Sequence, residues 1–146
     1  MINKEYFENL RTISQEYARD CAQFAVESSS YRETHTEEEW AEWQAKNTPR
    51  QRIKGGDIML LEHYDRLLDY DEFVISRDIG AGSVPNIIAA MRRAGLGSFV
   101  YGVTNIDSFD RLDDFCYEGC KLDKPVQIRQ YRHGRPMDTT GIRLLL

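Results

Sequence analysis

Hydrophobic residues in the first half of the chain recur at helical spacing. Tyr6, Phe7, Leu10, Ile13, Tyr17, Cys21, Phe24 and Ala25 fall every three or four residues, which predicts one long helix with a single apolar stripe. Ser28-Ser29-Ser30 is expected to end it. Thr36 followed by Glu39 has the spacing of a capping box, in which the hydroxyl accepts from the third-residue amide and the Glu side chain returns to the cap amide. A second helix should start there, with Trp40 and Trp43 on one side. Asn47-Thr48-Pro49-Arg50-Gln51-Arg52, followed by Gly55-Gly56, reads as a linker. Asp57 is then placed to cap a third helix with apolar Ile58, Leu60, Leu61, Tyr64, Leu67 and Leu68.

After residue 70 the pattern changes. Phe73–Ser76 and Phe99–Val103 are short apolar runs that predict strands. Between and after them, Ser83–Ala94 and Asp107–Glu118 have helical periodicity, closed by Gly95 and Gly119. Each of these glycines is followed by an apolar or sulfur residue, Leu96 or Cys120. Val126-Gln127-Ile128-Arg129 alternates, His133-Gly134-Arg135-Pro136 turns the chain, and Ile142–Leu146 closes it as a last strand. The expected fold is therefore α+β with an α/β element, in a single domain over residues 1–146. Helices in 1–70 pack on a small mixed sheet built from a βαβα run and a C-terminal hairpin. The sheet is parallel across the crossover helix, and the crossover is right-handed.

Composition adds compartment and field. No run approaches the apolar length of a membrane span, and the N-terminus lacks the layout of a secretion signal. Three cysteines, with Cys116 and Cys120 one helical turn apart, do not form a disulfide framework. These features predict a cytoplasmic protein with reduced thiols. From Lys121 onward six bases face two acids, a local charge of +4 that leaves −9 for residues 1–120 of a chain with net charge −5. The acidic field opposes direct nucleic-acid binding and favours a protein partner that is itself basic or holds nucleic acid.

The stretch Arg77-Asp78-Ile79-Gly80-Ala81-Gly82-Ser83 invites a cofactor reading. As a dinucleotide fingerprint it needs a third glycine three residues after Gly82, where Pro85 stands. Asp78 to Gly82 also resembles the first motif of S-adenosylmethionine-dependent methyltransferases, but only 64 residues follow Gly82, too few for that fold. The expectation is a glycine corner needed for backbone reasons, and no cofactor. An anion or ligand site at Gly80, Gly82 and Ser83, with Ser83 as N-cap and Arg129 or Arg132 reaching in from the hairpin, is the alternative.

The helix predicted over 107–118 places Asp107, Asp110, Asp113, Asp114 and Glu118 on its solvent side, with Phe109, Leu112, Phe115 and Cys116 on the other. No His or second Cys pair accompanies Cys116 and Cys120 at metal-ligand spacing, and no nucleophile-base set can be assembled, so no catalytic or metal-binding residue is assigned. The runs "FVIS", "FVYGVTNIDSFDRLDDFCYEGCKL" and "TTGIRLLL" together resemble small uncharacterised accessory proteins of phages and conjugative elements of gut Firmicutes, over the second half of the chain. That resemblance implies an accessory role.

Two function classes follow. The leading expectation is a non-enzymatic interaction protein, an inhibitor of a host defence nuclease that uses Trp40, Trp43, Asp110, Asp113 and Asp114 on an acidic, aromatic-bearing face. The alternative is a small-molecule binder or minor enzyme that takes a phosphate- or carboxylate-bearing ligand at the Gly80–Ser83 turn.

Overall fold

The computed structural model describes residues 2–69, 71–75, 79–102 and 107–146, with Arg132 described by its backbone alone. The chain divides into two compact units, Glu8–Lys54 and Met1–Phe7 with Gly55–Leu146. The compositional linker at 47–56 contains the second of these boundaries. Among the described residues no helix is long and apolar enough to cross a membrane.

Helix α1 (Lys4–Thr34), which lies in the Glu8–Lys54 unit from Glu8 onward, is followed there by α2 (Glu37–Asn47). Contrary to the expected stop at the three serines, α1 continues through Ser28-Ser29-Ser30 for four more residues. The reason is a tertiary partner. Ser28 is buried, and its Oγ accepts from Trp40 Nε1 at 3.0 Å and from Gln44 Nε2 at 3.4 Å. A serine hydroxyl occupied in this way no longer competes for the helix backbone. Trp43 stacks between Phe24 and Tyr31, with ring centroids 5.4 and 5.2 Å away, and the Arg32 guanidinium lies 4.5 Å over the Trp40 ring. The capping box forms as expected. Glu39 N donates to Thr36 Oγ1 at 3.3 Å, and Thr36 N donates to Glu39 Oε2 at 2.9 Å.

The other unit holds α3 (Gly55–Tyr64), β1 (Val74–Ile75), α4 (Val84–Arg93), β2 (Ser98–Gly102), α5 (Asp107–Tyr117), β3 (Lys121–Arg132) and β4 (Arg135–Leu145). The sheet order is β1-β2-β4-β3, with β1 parallel to β2 and the other pairs antiparallel. This is the expected mixed sheet. The predicted ends Ser76 and Val103 of the first two strands lie outside the described residues. Strand β2 is central, and Phe99, Val100 and Tyr101 are all buried, so both of its faces are covered. Phe115 of α5 meets Phe99 and Tyr101 edge-on at 5.1 and 5.2 Å. Helix α4 buries Val84, Ile87, Ile88, Ala90 and Met91.

Both helix ends read from glycine are present. Gly95 and Gly119 have φ of 72° and 96°, the left-handed region where a side chain is penalised. Leu96 N returns to Met91 O and Cys120 N to Phe115 O, each at 3.1 Å. The apolar or sulfur residue after each glycine is the buried hydrophobic contact of a Schellman motif.

Helix α3 departs from expectation at both ends. It starts at Gly55, so Asp57 is in the first turn and does not cap it, and it stops at Tyr64, leaving Leu67 and Leu68 beyond it. Asp57 is only 6% exposed and is drawn into tertiary contacts. Tyr6 Oη donates to Asp57 Oδ1 at 2.6 Å, and Arg93 Nη2 donates to Oδ2 at 3.0 Å. The hydrogen bonds to the carboxylate tie the start of α1 and the end of α4 to α3. After Tyr64, Arg66 N and Leu67 N bond three residues back, which tightens and ends the helix.

Burial, followed by the hydrogen bond and charge of Asp57, pushes the Tyr6 phenol up to about 12 from an ordinary 10.0. A raised folded-state pKa means that the neutral phenol favours folding. That contribution is fully present below pH 10.0 and is lost as pH rises through about 12. Ultraviolet titration should show one fewer late-ionising tyrosine in Tyr6→Phe than in the parent; an unchanged number would refute this account.

The C-terminal hairpin turns at His133 and Gly134, with φ of 49° and 74°. Two consecutive positive φ values give the turn whose twist matches that of the flanking strands. Arg135 and Pro136, expected within the turn, belong to β4. Gly102 and Gly141 face each other across β2 and β4. A Cβ on Gly102 would strike Gln130 Nε2, and one on Gly141 would stand 2.6 Å from Val100 Cγ1. Gln130 pairs with Met137, four residues along β4 from Gly141. Its amide can reach Gly102 only because the projecting part of the hairpin bends back over the end of β2, and the paired glycines make room for it.

Candidate functional site

The outer face of α5 combines exposed aromatic and acidic side chains. Ser108, Leu112 and Phe115 form the buried stripe at helical spacing. Phe109, expected on the core side with them, is 63% exposed instead. It sits about 100° round the helix from Ser108, and Ser108, fully buried, takes the inward position that the heavier residue was expected to fill. Asp113 and Tyr117 follow Phe109 at successive four-residue steps and so continue one row along the helix. Tyr117 is 91% exposed, and Asp110 and Asp113 are also exposed. Asp114 is different, because it is half-buried and paired with Arg111 at 2.6 Å. Two large aromatic rings and two carboxylates thus share one exposed face of α5.

The structure distributes the other sequence-designated residues. Trp40 and Trp43 engage α1 within the Glu8–Lys54 unit. Arg129 pairs with Asp138 at 3.3 Å, and Arg143 with Glu72 and, at 3.7 Å, Asp123. These arginines of the basic C-terminal stretch are thus matched by the protein's own acids; the Arg129–Asp138 pair is exposed and weak, whereas Arg143 is part-buried between its two carboxylates. Nothing is described of the Arg132 side chain.

At the glycine corner the backbone expectation is overturned. Gly80 has φ −65° and ψ 148°, and neither Gly80 nor Gly82 has a positive φ. A Cβ added at either would meet nothing within 4 Å. A 3₁₀ turn over Ala81–Ser83 leads into α4 entirely through conformations open to any residue. Ser83 precedes the helix but makes no side-chain cap, its φ of −88° and ψ of −16° being helical already. Asp78, in the methyltransferase-like stretch, lies outside the described residues.

A groove of about 600 Å3 opens between the chain that leaves α3, strand β1 and the hairpin. Its lining includes His63, Leu67, Leu68, Val74, Ile128 and Gln130. Of the residues assigned to an anion site from sequence, Arg129 borders it, whereas Gly80, Gly82 and Ser83 do not. Leu67 and Leu68 looked like a continuation of a helical stripe, and Gln130 lies just past the alternating run Val126–Arg129. Their convergence arises from the end of α3 and the bend of the hairpin.

Among the described residues no group of three His, Cys, Asp or Glu side chains is arranged to hold a metal ion. Burial pushes the Cys120 thiol up, with Arg92 opposing the shift in part. A buried thiol disfavoured from ionising suits packing more than nucleophilic attack. Cys21 and Cys116 are half-buried, and all three cysteines are unbridged. No protein-family model, no curated protein and no solved structure matches this chain.

Proposed function

We propose that this chain is a non-enzymatic interaction protein that docks the outer face of α5 onto a basic protein surface of the kind that holds nucleic acid. The observation that carries the reading is the exposed row Phe109, Asp113 and Tyr117 with Asp110 alongside. Aromatic rings provide the large anchors on which binding energy concentrates. The carboxylates supply field complementarity and accelerate encounter with a positive partner. Partner arginines can engage both elements at once, by ion pair with the aspartates and by stacking on the rings. In the finer form of the proposal, the resemblance to accessory proteins of mobile elements makes the partner a host defence nuclease. The acidic face then covers the groove in which that nuclease would hold its substrate.

The test is site-specific photocrosslinking in host cells from position 109, with position 26 as control, since Val26 is equally open at 69% exposure. A basic partner captured from 109 alone, and displaced by duplex DNA, is the expected result. Capture from both positions alike, or an acidic partner, refutes the proposal. With the captured partner, Asp110→Lys with Asp113→Lys should weaken binding about 10- to 100-fold, mostly through slower association that loses its salt dependence. Phe109→Ala should instead accelerate dissociation, by about tenfold. Unchanged affinity in both variants would remove this face from consideration.

A further inference from the structure

We infer that the groove between the end of α3, β1 and the hairpin receives one extended segment of a partner protein, which adds to the free edge of β3 as a further strand and points aliphatic side chains at Leu67, Leu68 and Val74. The inference starts from which strands line the groove. Strands β1 and β3 are the two ends of the sheet, so each has one side without a strand partner among the described residues. Val74 of β1 and residues 127–131 of β3 line the groove, whereas β2 contributes nothing to it and β4 only Asp138. A cavity lined by the first and last strands of an open sheet, and not by its centre, lies between the two free edges. The unbroken run in β3 says the same. Side chains alternate between the faces of a strand, so a cavity that meets five consecutive residues meets β3 along its edge, where unpaired N–H and C=O groups lie.

Edge strands are normally guarded against such pairing by lysine, proline or a bulge. In its first half β3 has all three, at Lys121, Lys124, Pro125 and the register shift between Leu122 and Pro125. Residues 126–131 have none of them and keep a regular register with β4, and Val126, Ile128 and Tyr131 favour strand pairing. The unguarded stretch is the one that lines the groove. Size then selects the occupant. Five strand residues span about 17 Å, so a volume of about 600 Å3 amounts to a cross-section of about 35 Å2, against about 48 Å2 for one strand at the usual strand and sheet spacings. The groove therefore holds a single strand with short side chains. It does not hold a hairpin two strands wide, which is the only form in which a second copy could offer its own β3. Leu67, Leu68 and Val74 supply aliphatic walls. The rim acids Glu72 and Asp138 are compensated within the chain by Arg143 and Arg129, so the complementarity is main-chain and apolar: backbone pairing gives affinity and alternate aliphatic side chains give specificity. Neither the exposed row of α5 nor the Gly80–Ser83 turn lines this groove, so the inference stands apart from both.

The test selects a phage-displayed library of random heptapeptides against the full chain, synthesises the enriched peptide, and follows its binding by amide hydrogen exchange and thermal melting. Enriched sequences should carry aliphatic residues at alternate positions. The bound peptide should slow exchange of the outward-facing amides within residues 127–131 and raise the melting temperature. Methylating the peptide's backbone nitrogens at alternate positions then identifies the mode. In the phase whose N–H groups face β3, affinity should fall at least about tenfold, and in the other phase it should be retained. Leu68→Glu, at a position already 38% exposed and so compatible with folding, should also lose at least about tenfold by charging a wall. The inference is overturned if no heptapeptide is enriched, if the enriched peptide protects only amides outside residues 127–131, if both methylation phases weaken binding alike, or if Leu68→Glu retains parental affinity. It is overturned equally if the chain is dimeric and the same amides are protected without peptide, since a second copy would then hold the edge.

Discussion

Phe7→Ala is expected to lower the unfolding free energy of the unit that contains it by about 4 kcal/mol, the penalty of truncating a large side chain in a well-packed core. Phe7 is fully buried. Its ring stacks on Tyr64 at 4.2 Å with an interplanar angle of 2°, and on Phe73 at 5.7 Å. Truncation removes transfer free energy, leaves a cavity, and abolishes the aromatic contacts with Tyr6, Tyr64 and Phe73. The stacked partners belong to the end of α3 and the start of the sheet, so the cavity opens among three elements that cannot easily collapse together. Hydrogen exchange at the Phe99, Val100 and Tyr101 amides measures it, because these residues lie in the central strand of the same unit. Tryptophan fluorescence does not report it directly, since Trp40 and Trp43 both belong to Glu8–Lys54. A loss below about 1 kcal/mol would mean that Phe7 is not part of this core.

Gly56→Ala should cost about 3 kcal/mol, at the upper end of overpacking penalties, although alanine normally stabilises a helix. A Cβ at Gly56 would run into the backbone carbonyl of Asn86, and Ala90 Cβ would stand 3.4 Å away. A side chain could rotate aside, but the carbonyl belongs to α4 and cannot move without parting the two helices. The adjacent Gly55→Ala is the internal control. Nothing lies within 4 Å of a Cβ there, so that variant should be neutral or gain up to about 1 kcal/mol by reducing unfolded-state freedom. Denaturant unfolding of both variants should separate them. Equal stabilities would show that α3 and α4 do not approach to backbone contact at Gly56.

Local rules carried the parts of this fold in which neighbours in sequence are also partners in space. The capping box at Thr36 and Glu39, the glycine-plus-apolar closures at Gly95 and Gly119, and the hairpin turn at His133 and Gly134 all use contacts within a few residues. Periodicity likewise sufficed for the βα alternation, because helices and strands have different repeats.

What failed were inferences about a residue whose partner is distant. Ser28 looked like a stop signal and is a helix-interior acceptor because Trp40 and Gln44 return to it. Asp57 looked like a cap and is the carboxylate that Tyr6 and Arg93 share. Phe109 looked like core because it is large and apolar, but a full turn of α5 has only one inward stripe, and Ser108, Leu112 and Phe115 occupy it. Gly80 and Gly82 looked required by backbone geometry, whereas the glycines that no other residue could replace without collision are Gly56, Gly102 and Gly141, each pressed against another element.

From the amino-acid order alone came the class of the fold, the mixed sheet, the element order and the acidic character of α5, since these depend on repeat lengths and on charge. Tertiary structure decided which aromatics reach solvent beside those acids, and it brought Leu67, Val74 and Gln130 to one groove. The physical reason is that exposure and convergence are properties of pairs of segments, set by how closely glycine-lined surfaces allow them to approach, and no local pattern encodes that distance.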